Sequence, residues 1–457
     1  MQTIDTNTAS PPLSIVRIEV EKLFGRYTYI LSRENNYSDS SLIILYGDNG
    51  SGKTTILKLL FHLLSTSLER DHSTFLEKTR FAKFSVFLAD GTSIIASREN
   101  SNLTGSIKVE ILPDQFTHEI KANNAEILEE NLEQRLKIEV LGINFYGMSS
   151  NSKLKEKPAY YNSLSKLRLN LFFLGDNRIL AGDILDEEVK SSTRKYRDNF
   201  NVDNELKISI DRTEKWLEKQ AFKGTNQGAI NVNNIYEEII TKILHSSGNS
   251  LNDQPLQAST LIEELIRVEN RNNDFSRFGL MPPLNTQKIV QILQASDTQA
   301  NYPIVSRVLQ PYLDSLAARF DALEVTQHLL TIFENTINNI FFRDKYIKLH
   351  VSEGLKIFTD QEQELSPDKL SSGEKQLLLL FCNTLTARDK ATIFIIDEPE
   401  ISLNVKWQRQ LIRALLQLTK DSQVQFILAT HSIELLSQYK NNVIKLEPGG
   451  NSIENGK

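Results

Sequence analysis

The run Leu42-Ile-Ile-Leu-Tyr46, followed at once by Gly47-Asp-Asn-Gly-Ser-Gly-Lys-Thr54 and then by TILKLLFHLL, leaves a chain few folds to choose from. Five largely apolar residues, two of them β-branched, fit a strand buried on both faces. The apolar residues after Thr54 recur with helical spacing. Between them lies a complete G-x-x-x-x-G-K-T. Its glycines let backbone N–H groups turn inward at a helix start, where the positive end of the helix adds to the attraction for an anion. Strand, loop and helix in immediate succession predict a phosphate cradle at the edge of an α/β sheet. Gly47, Asn49, Gly50, Ser51, Gly52, Lys53, Thr54 and Thr55 are its expected members. Lys53 is expected to reach the β- and γ-phosphates of a nucleotide, and Thr54 to place its hydroxyl on Mg²⁺.

A cradle of this kind needs carboxylates nearby, and ATIFIIDEPE supplies them. Asp397 ends a buried strand and is expected to hold the Mg²⁺ shell, with Glu398 beside it to polarise an attacking water. Two carboxylates at a strand end also occur as plain loop caps, a reading the preceding phosphate loop disfavours. The neighbouring strand pattern, VQFILATHS, ends on His431, which would face the same crevice and meet the γ-phosphate.

A second polar helix start, Leu370-Ser-Ser-Gly-Glu-Lys-Gln376, precedes the apolar run LLLLF. Ser371, Ser372, Gly373 and Glu374 there look arranged for an anion, although the chain already holds one cradle.

The rest of the chain organises around these motifs. LSIVRIEVEKLF and YTYIL read as a strand and its hairpin return, and FAKFSVFLA, TSIIASR and GSIKVEIL as three strands of an antiparallel layer. NLFFL is another buried strand. From about 181 to 340 the texture turns rich in Asn, Asp, Glu and Lys with helical patterns, interrupted at KGTNQGAINVNN and HSSGNSLND, so a helical insertion of short paired helices or a short coiled-coil arm is expected. This divides the chain into an N-terminal lobe 1–180, an insertion 181–340 and a C-terminal lobe 341–457. The single cysteine, Cys382, excludes a disulfide framework and a Cys-rich metal site. A net charge of -6 advertises no nucleic-acid binder, though it can hide a local basic face. MQTIDTNTASPP has no signal-peptide pattern and no apolar run approaches a membrane span, so a cytoplasmic location without membrane contact is expected.

In their order along the chain these motifs resemble the ABC-type ATPase head, and within it the SMC/RecF-like and overcoming-lysogenization-defect-like ATPases. The resemblance covers about 15–180 and 341–447. It implies an α/β fold, a mixed core sheet with helices plus an antiparallel β layer, interrupted by a helical insertion. It equates Leu370–Gln376 with the ABC signature, Asp397-Glu398 with the Walker B pair, Ser402-Leu403-Asn404 with the D-loop, and His431 with the switch histidine. The family's metal-contacting glutamine has no counterpart; Gly175-Asp-Asn-Arg178 lies in its place, where Asn177 or Asp176 would contact the metal. Phe24 or Tyr27 would touch the adenine.

The resemblance also gives the second helix start a purpose. In such heads the signature closes over ATP held by another head's phosphate loop. A chain with one of each would act as a homo-oligomer, at least a dimer, with ATP between copies. Stand-alone heads of this size look like ATPase components of bacterial anti-phage systems, PARIS before Septu. That likeness implies ATP hydrolysis that controls a separate effector such as a nuclease. Two other readings stay open. One is a RecF-like repair or recombination ATPase that clamps DNA, with Lys190, Arg194, Lys195 and Arg197 as candidate contacts. The other is a structural ATP-gated scaffold with negligible turnover.

Overall fold

The computed structural model describes residues 13–32, 41–66, 72–98, 102–112, 143–144, 159–175, 180–183, 202–244, 258–294, 302–400 and 405–447. The chain packs as two compact units. One comprises Met1–Ile208, Lys375–Leu380 and Thr386–Lys457, the other Ser209–Glu374 and Phe381–Leu385. The division drawn from the sequence at 180 and 340 follows the order of motifs, whereas these units follow contact density.

The first unit holds two six-stranded sheets. The antiparallel one runs β2-β1-β4-β5-β6-β7, from β1 (Ile15–Leu23), β2 (Tyr27–Ser32), β4 (Lys83–Leu88), β5 (Ser93–Ser97), β6 (Lys108–Leu112) and β7 (Ile143–Asn144). The other runs β15-β3-β14-β13-β8-β9, from β3 (Leu42–Tyr46), β8 (Asn170–Leu174), β9 (Leu180–Asp183), β13 (Thr392–Asp397), β14 (Val424–Ala429) and β15 (Val443–Lys445). Its neighbours pair in parallel except at β9, which runs antiparallel to β8. Every residue of β13 and β14 is buried, so these strands carry no alternation; both faces of the sheet are covered.

Helix α1 (Lys53–Leu64) packs on β8, β13 and β14, and α2 (His72–Lys78) packs on α1. One apolar cluster joins Ile18, Val20 and Phe84 of the antiparallel sheet to Ile56 and Leu60 of α1 and to Leu45, Ile395 and Ile427 of the parallel one. A buried polar tie accompanies it. Gln425 Oε1 accepts from the Ile15 N–H at 2.8 Å, while its Nε2 donates to the Ile15 carbonyl at 2.9 Å. β1 pairs with β4 at Ile15 but with β2 only from Arg17 on, so the side-chain amide takes up the Ile15 backbone groups on the side β2 leaves open. Helices α3 (Ala159–Lys166), α9 (Val405–Leu418) and α10 (Ile433–Gln438) complete the unit.

The second unit takes most of α4 (Val202–Leu244), with α5 (Ala258–Ser276), α6 (Gln287–Gln294), α7 (Tyr302–Thr336) and a three-stranded antiparallel sheet, β10 (Lys345–His350), β11 (Gly354–Thr359) and β12 (Glu364–Leu365). Helix α8 (Ser372–Thr386) is shared between the units.

The insertion departs from expectation. KGTNQGAINVNN was expected to break a helix, yet α4 passes through it as one helix of 43 residues. α7 extends over 35 residues with Pro311 inside it. Propensity is a weak prior, and once a helix has nucleated on strong flanks, glycine and asparagine cost about 0.5–1 kcal/mol each without stopping it. The insertion thus contains long helices rather than short pairs. The other expected break, HSSGNSLND, lies outside the described residues. The fold is the α/β architecture expected from the motifs, with a mixed sheet, an antiparallel layer and a helical insertion.

Candidate nucleotide site

Three adjacent strands build the site. Their register aligns Leu45 of β3 with Ala429 of β14, and Ala429 with Asp397 of β13. The chain therefore leaves all three strands at one edge, where the crevices of parallel sheets lie. The backbone bonds continue one step beyond the ladder. Thr430 N–H donates to the Leu45 carbonyl at 3.2 Å, and Glu398 N–H to the Ala429 carbonyl at 2.8 Å.

From β3 the chain enters the glycine loop. Gly50 and Gly52 have φ of 79° and 96°, the left-handed region that glycine enters without steric cost. A Cβ on Gly52 would lie 2.6 Å from Leu23 Cδ2, so strand β1 bears directly on the loop. A Cβ on Gly47 would lie 2.9 Å from Ser51 Oγ. Ser51 Oγ is buried without a hydrogen-bond partner, a donor left over inside the cradle. Lys53 is 6% exposed and donates through Nζ to the carbonyls of Gly47 and Asp48, at 2.8 and 3.0 Å. Its ammonium thus closes the ring that the glycines open. Burial pushes the Lys53 ammonium below the usual lysine value, while Glu398, Asp397, Asp48 and Glu400 pull it back up. Thr54 and Thr55 follow in the first turn of α1, each half-buried.

At the end of β13, Asp397 is buried and Glu398 has a φ of 50°. A non-glycine residue in the left-handed region costs about 1–2 kcal/mol, and here that conformation turns the chain sharply after the strand. Glu398 Oε1 lies 3.8 Å from His431 Nε2, with both side chains about one-third exposed.

Two residues that sequence reasoning missed hold these parts in place. Glu400 Oε1 accepts from Thr430 Oγ1 at 2.7 Å, His431 N–H at 2.8 Å and Ser432 N–H at 3.1 Å. One carboxylate oxygen therefore organises the turn that presents His431. Its position directly after the Asp397-Glu398-Pro399 run was the available signal. Tyr29, on β2, donates its phenol to the Ser51 carbonyl at 3.0 Å and is 2% exposed, pinning the glycine loop from the antiparallel sheet. Nothing local marks it, because strand pairing brings it there.

The residues suit a nucleotide and its metal. The loop has an open side at Gly50 and a spare hydroxyl on Ser51, and its lysine is opposed by four carboxylates. Asp397 and Thr54 offer the hard oxygen donors that Mg²⁺ takes. Asp176, Asn177 and the segment Ser402-Leu403-Asn404 lie outside the described residues, as do Lys190, Arg194, Lys195 and Arg197. Phe24, with φ 56° and 39% exposed, stands near the loop, its Cε2 placed 3.3 Å from a Cβ on Gly52. Tyr27 stacks on Tyr29.

The second helix start is a capping box. Ser371 N–H donates to Glu374 Oε2 at 2.8 Å, and Glu374 N–H to Ser371 Oγ at 3.4 Å. Glu374 also meets Lys345 Nζ at 3.2 Å and is buried. Its carboxylate is thus engaged in the helix cap and an ion pair, while Ser372 is exposed and Gly373 is covered.

The chain belongs to the AAA ATPase domain family, whose model matches residues 25–436. Its fold is that of a P-loop nucleotide-binding protein. Over 96 residues, 21% of this chain and 34% of the relative, it is 35% identical to an ABC transporter ATP-binding protein of Pyrococcus abyssi (strain GE5 / Orsay). Over 106 residues it is 29% identical to the molybdenum import ATP-binding protein ModC of Escherichia coli (strain K12), which is 23% of this chain and 28% of that one. The match spans about a third of the length of these curated relatives. The Smc head domain of Pyrococcus furiosus, solved with an extended coiled coil and bound to the C-terminal domain of ScpA, aligns with 95% of this chain and 94% of that one. Its identity is 10% and its TM-score 0.35, values that carry nothing about partners. Among the described residues no helix is long and apolar enough to cross a membrane.

Proposed function

We propose that the chain is an ATP-gated switch that works as two or more copies, each holding ATP in its own glycine loop and closing the signature helix start of another copy over it. The observation that carries this reading is the gathering of Lys53, Asp397, Glu398 and His431 around one sheet edge, while the chain has a second anion-type helix start at Ser371–Glu374. Lys53 would exchange the carbonyls of Gly47 and Asp48 for phosphate oxygens, with the loop N–H groups and Ser51 Oγ completing the shell. Mg²⁺, held by Thr54 and Asp397, would neutralise charge on the β- and γ-phosphates when bound. Glu398 takes the proton of the attacking water, and His431 orients that water and steadies the charge that develops on the γ-phosphate. Glu400 keeps His431 in place through the turn. Ser372, exposed at the first position of α8, supplies the trans contact.

ATP would then be a component of the interface as well as a substrate, and turnover would open what binding closes. The output of such a switch is a scaffold that holds another macromolecule. Control of a separate effector, such as a nuclease in anti-phage defence, is the finer form of this reading and rests on the sequence resemblance. The test is the native mass of Glu398→Gln with and without Mg-ATP. A shift to a larger assembly of this chain supports the switch. A second polypeptide that co-purifies and leaves on turnover by the parent supports the effector form, and a strict monomer in both conditions overturns both.

A further inference from the structure

The outer face of the β10–β11 hairpin, wholly within the second unit, has an arrangement that the nucleotide site does not use. Strand register sets Lys348 directly across from Lys356, with Tyr346 across from Phe358 on the same face. Two like charges at a directly paired position destabilise a hairpin. The two ammonium groups lean apart. Lys348 Nζ sits over the stacked rings of Tyr346 and Phe358, at 5.3 and 5.2 Å, whereas Lys356 Nζ reaches back to Glu353 at 3.0 Å. A third cation arrives from the end of α5. Arg277 donates to Thr331 Oγ1 at 3.1 Å and lies 3.5 Å from Glu334. Arg277, Glu334, Lys348, His350, Glu353 and Lys356 line a cavity of about 310 Å³.

The two carboxylates at the cavity do not balance the cations equally. Burial holds the Glu334 carboxyl above the usual carboxylate value, against the opposing pull of Arg277. Glu353 lies at the exposed hairpin tip and can swing to solvent. Three cations thus face two carboxylates across the cleft, and its volume is at the small end of those that hold ligands. A phosphate group meets three requirements at once. It relieves the paired-lysine repulsion, accepts charge-assisted bonds from both ammonium groups and offers Arg277 a planar fork contact.

We propose that this cleft is a second anion site, which takes the phosphate group of a ligand on Lys348, Lys356 and Arg277. The phosphate could belong to a free di- or triphosphate or to the backbone of a nucleic-acid strand, and both present the same chemistry to the lysines. The proposal is independent of the glycine loop, so the probe is applied where that loop is disabled. Inorganic pyrophosphate and a short oligothymidylate are titrated separately, by calorimetry, into the full-length Lys53→Ala protein and into the same protein carrying Lys348→Ala and Lys356→Ala. Saturable binding of either probe is expected, weakened about tenfold or more when the lysines are removed. Adding Glu353→Gln instead should tighten binding a few-fold, because the competing carboxylate is gone, and this gain cannot arise from misfolding. Pyrophosphate as the better probe points to a small molecule, and oligothymidylate as the better one to a strand. No saturable binding of either, or binding indifferent to the lysines, overturns the proposal.

Discussion

Glu398 Oε1 and His431 Nε2 stand 3.8 Å apart at the ends of two adjacent parallel strands. That gap is too long for a hydrogen bond and short enough for one water oxygen to touch both atoms. Glu398→Gln keeps the shape and removes the base. The expected outcome is ATP binding close to the parent's, with turnover slowed about 10²–10⁴-fold. Single-turnover hydrolysis and nucleotide affinity measured on one preparation check both halves.

Lys53 donates to the loop carbonyls of Gly47 and Asp48, the place from which its ammonium would turn to the phosphates. Lys53→Ala should lose ATP binding rather than catalysis alone. Equilibrium binding of a fluorescent ATP analogue reads this directly, and unchanged affinity would place the phosphates elsewhere.

Glu400 acts through His431. Glu400→Ala strands the Thr430 hydroxyl and the His431 N–H, while the Ser432 N–H keeps Thr430 Oγ1 at 2.9 Å, an expected loss of about 1–3 kcal/mol in stability. Its more specific effect should be on kcat, with KM for ATP nearly unchanged, because the phosphate loop is untouched. Glu400→Gln retains an acceptor oxygen and should recover most of the stability. A rise in KM with kcat intact would contradict this division.

Tyr29 links the antiparallel sheet to the phosphate loop, and burial raises its phenol to about 12. A group whose folded value is raised contributes fully below its ordinary value, near 10, and loses that contribution as pH climbs through about 12. The parent should therefore lose stability between about pH 10 and 12 more steeply than Tyr29→Phe. Denaturation midpoints for the two proteins across that window give the comparison.

The contrast between Lys53 and Tyr29 shows what could be read in advance. Asp397, Glu398 and His431 sit at or just past the ends of strands, and Lys53 opens the helix that follows β3 and its glycine loop; each apolar run is local in sequence, so their types and neighbours announce them. Tyr29 and Gln425 matter because pairing of distant segments brings them to the loop and to β1, and no local pattern contains that information. Glu374 lies between these cases. Its spacing from Ser371 is a capping box and also part of a signature, and the geometry engages its carboxylate in the cap and the Lys345 pair. The helix that runs through KGTNQGAINVNN went unread for another reason. Local propensity speaks weakly against helix there, and strong flanks outweigh it.

The central claim is that one copy's Ser372 serves another copy's Lys53. Lys53→Ala and Ser372→Arg should each be inactive alone, the first for want of nucleotide and the second with nucleotide bound in its own loop. Mixed in equal amounts, half the dimers pair one of each and contain one intact composite site, so hydrolysis should recover to about a quarter of the parent's rate. That recovery, measured as phosphate release over a range of mixing ratios, is the predicted result. Turnover by Ser372→Arg alone at the parent's rate, or a mixture as inactive as its components at every ratio, would contradict the account.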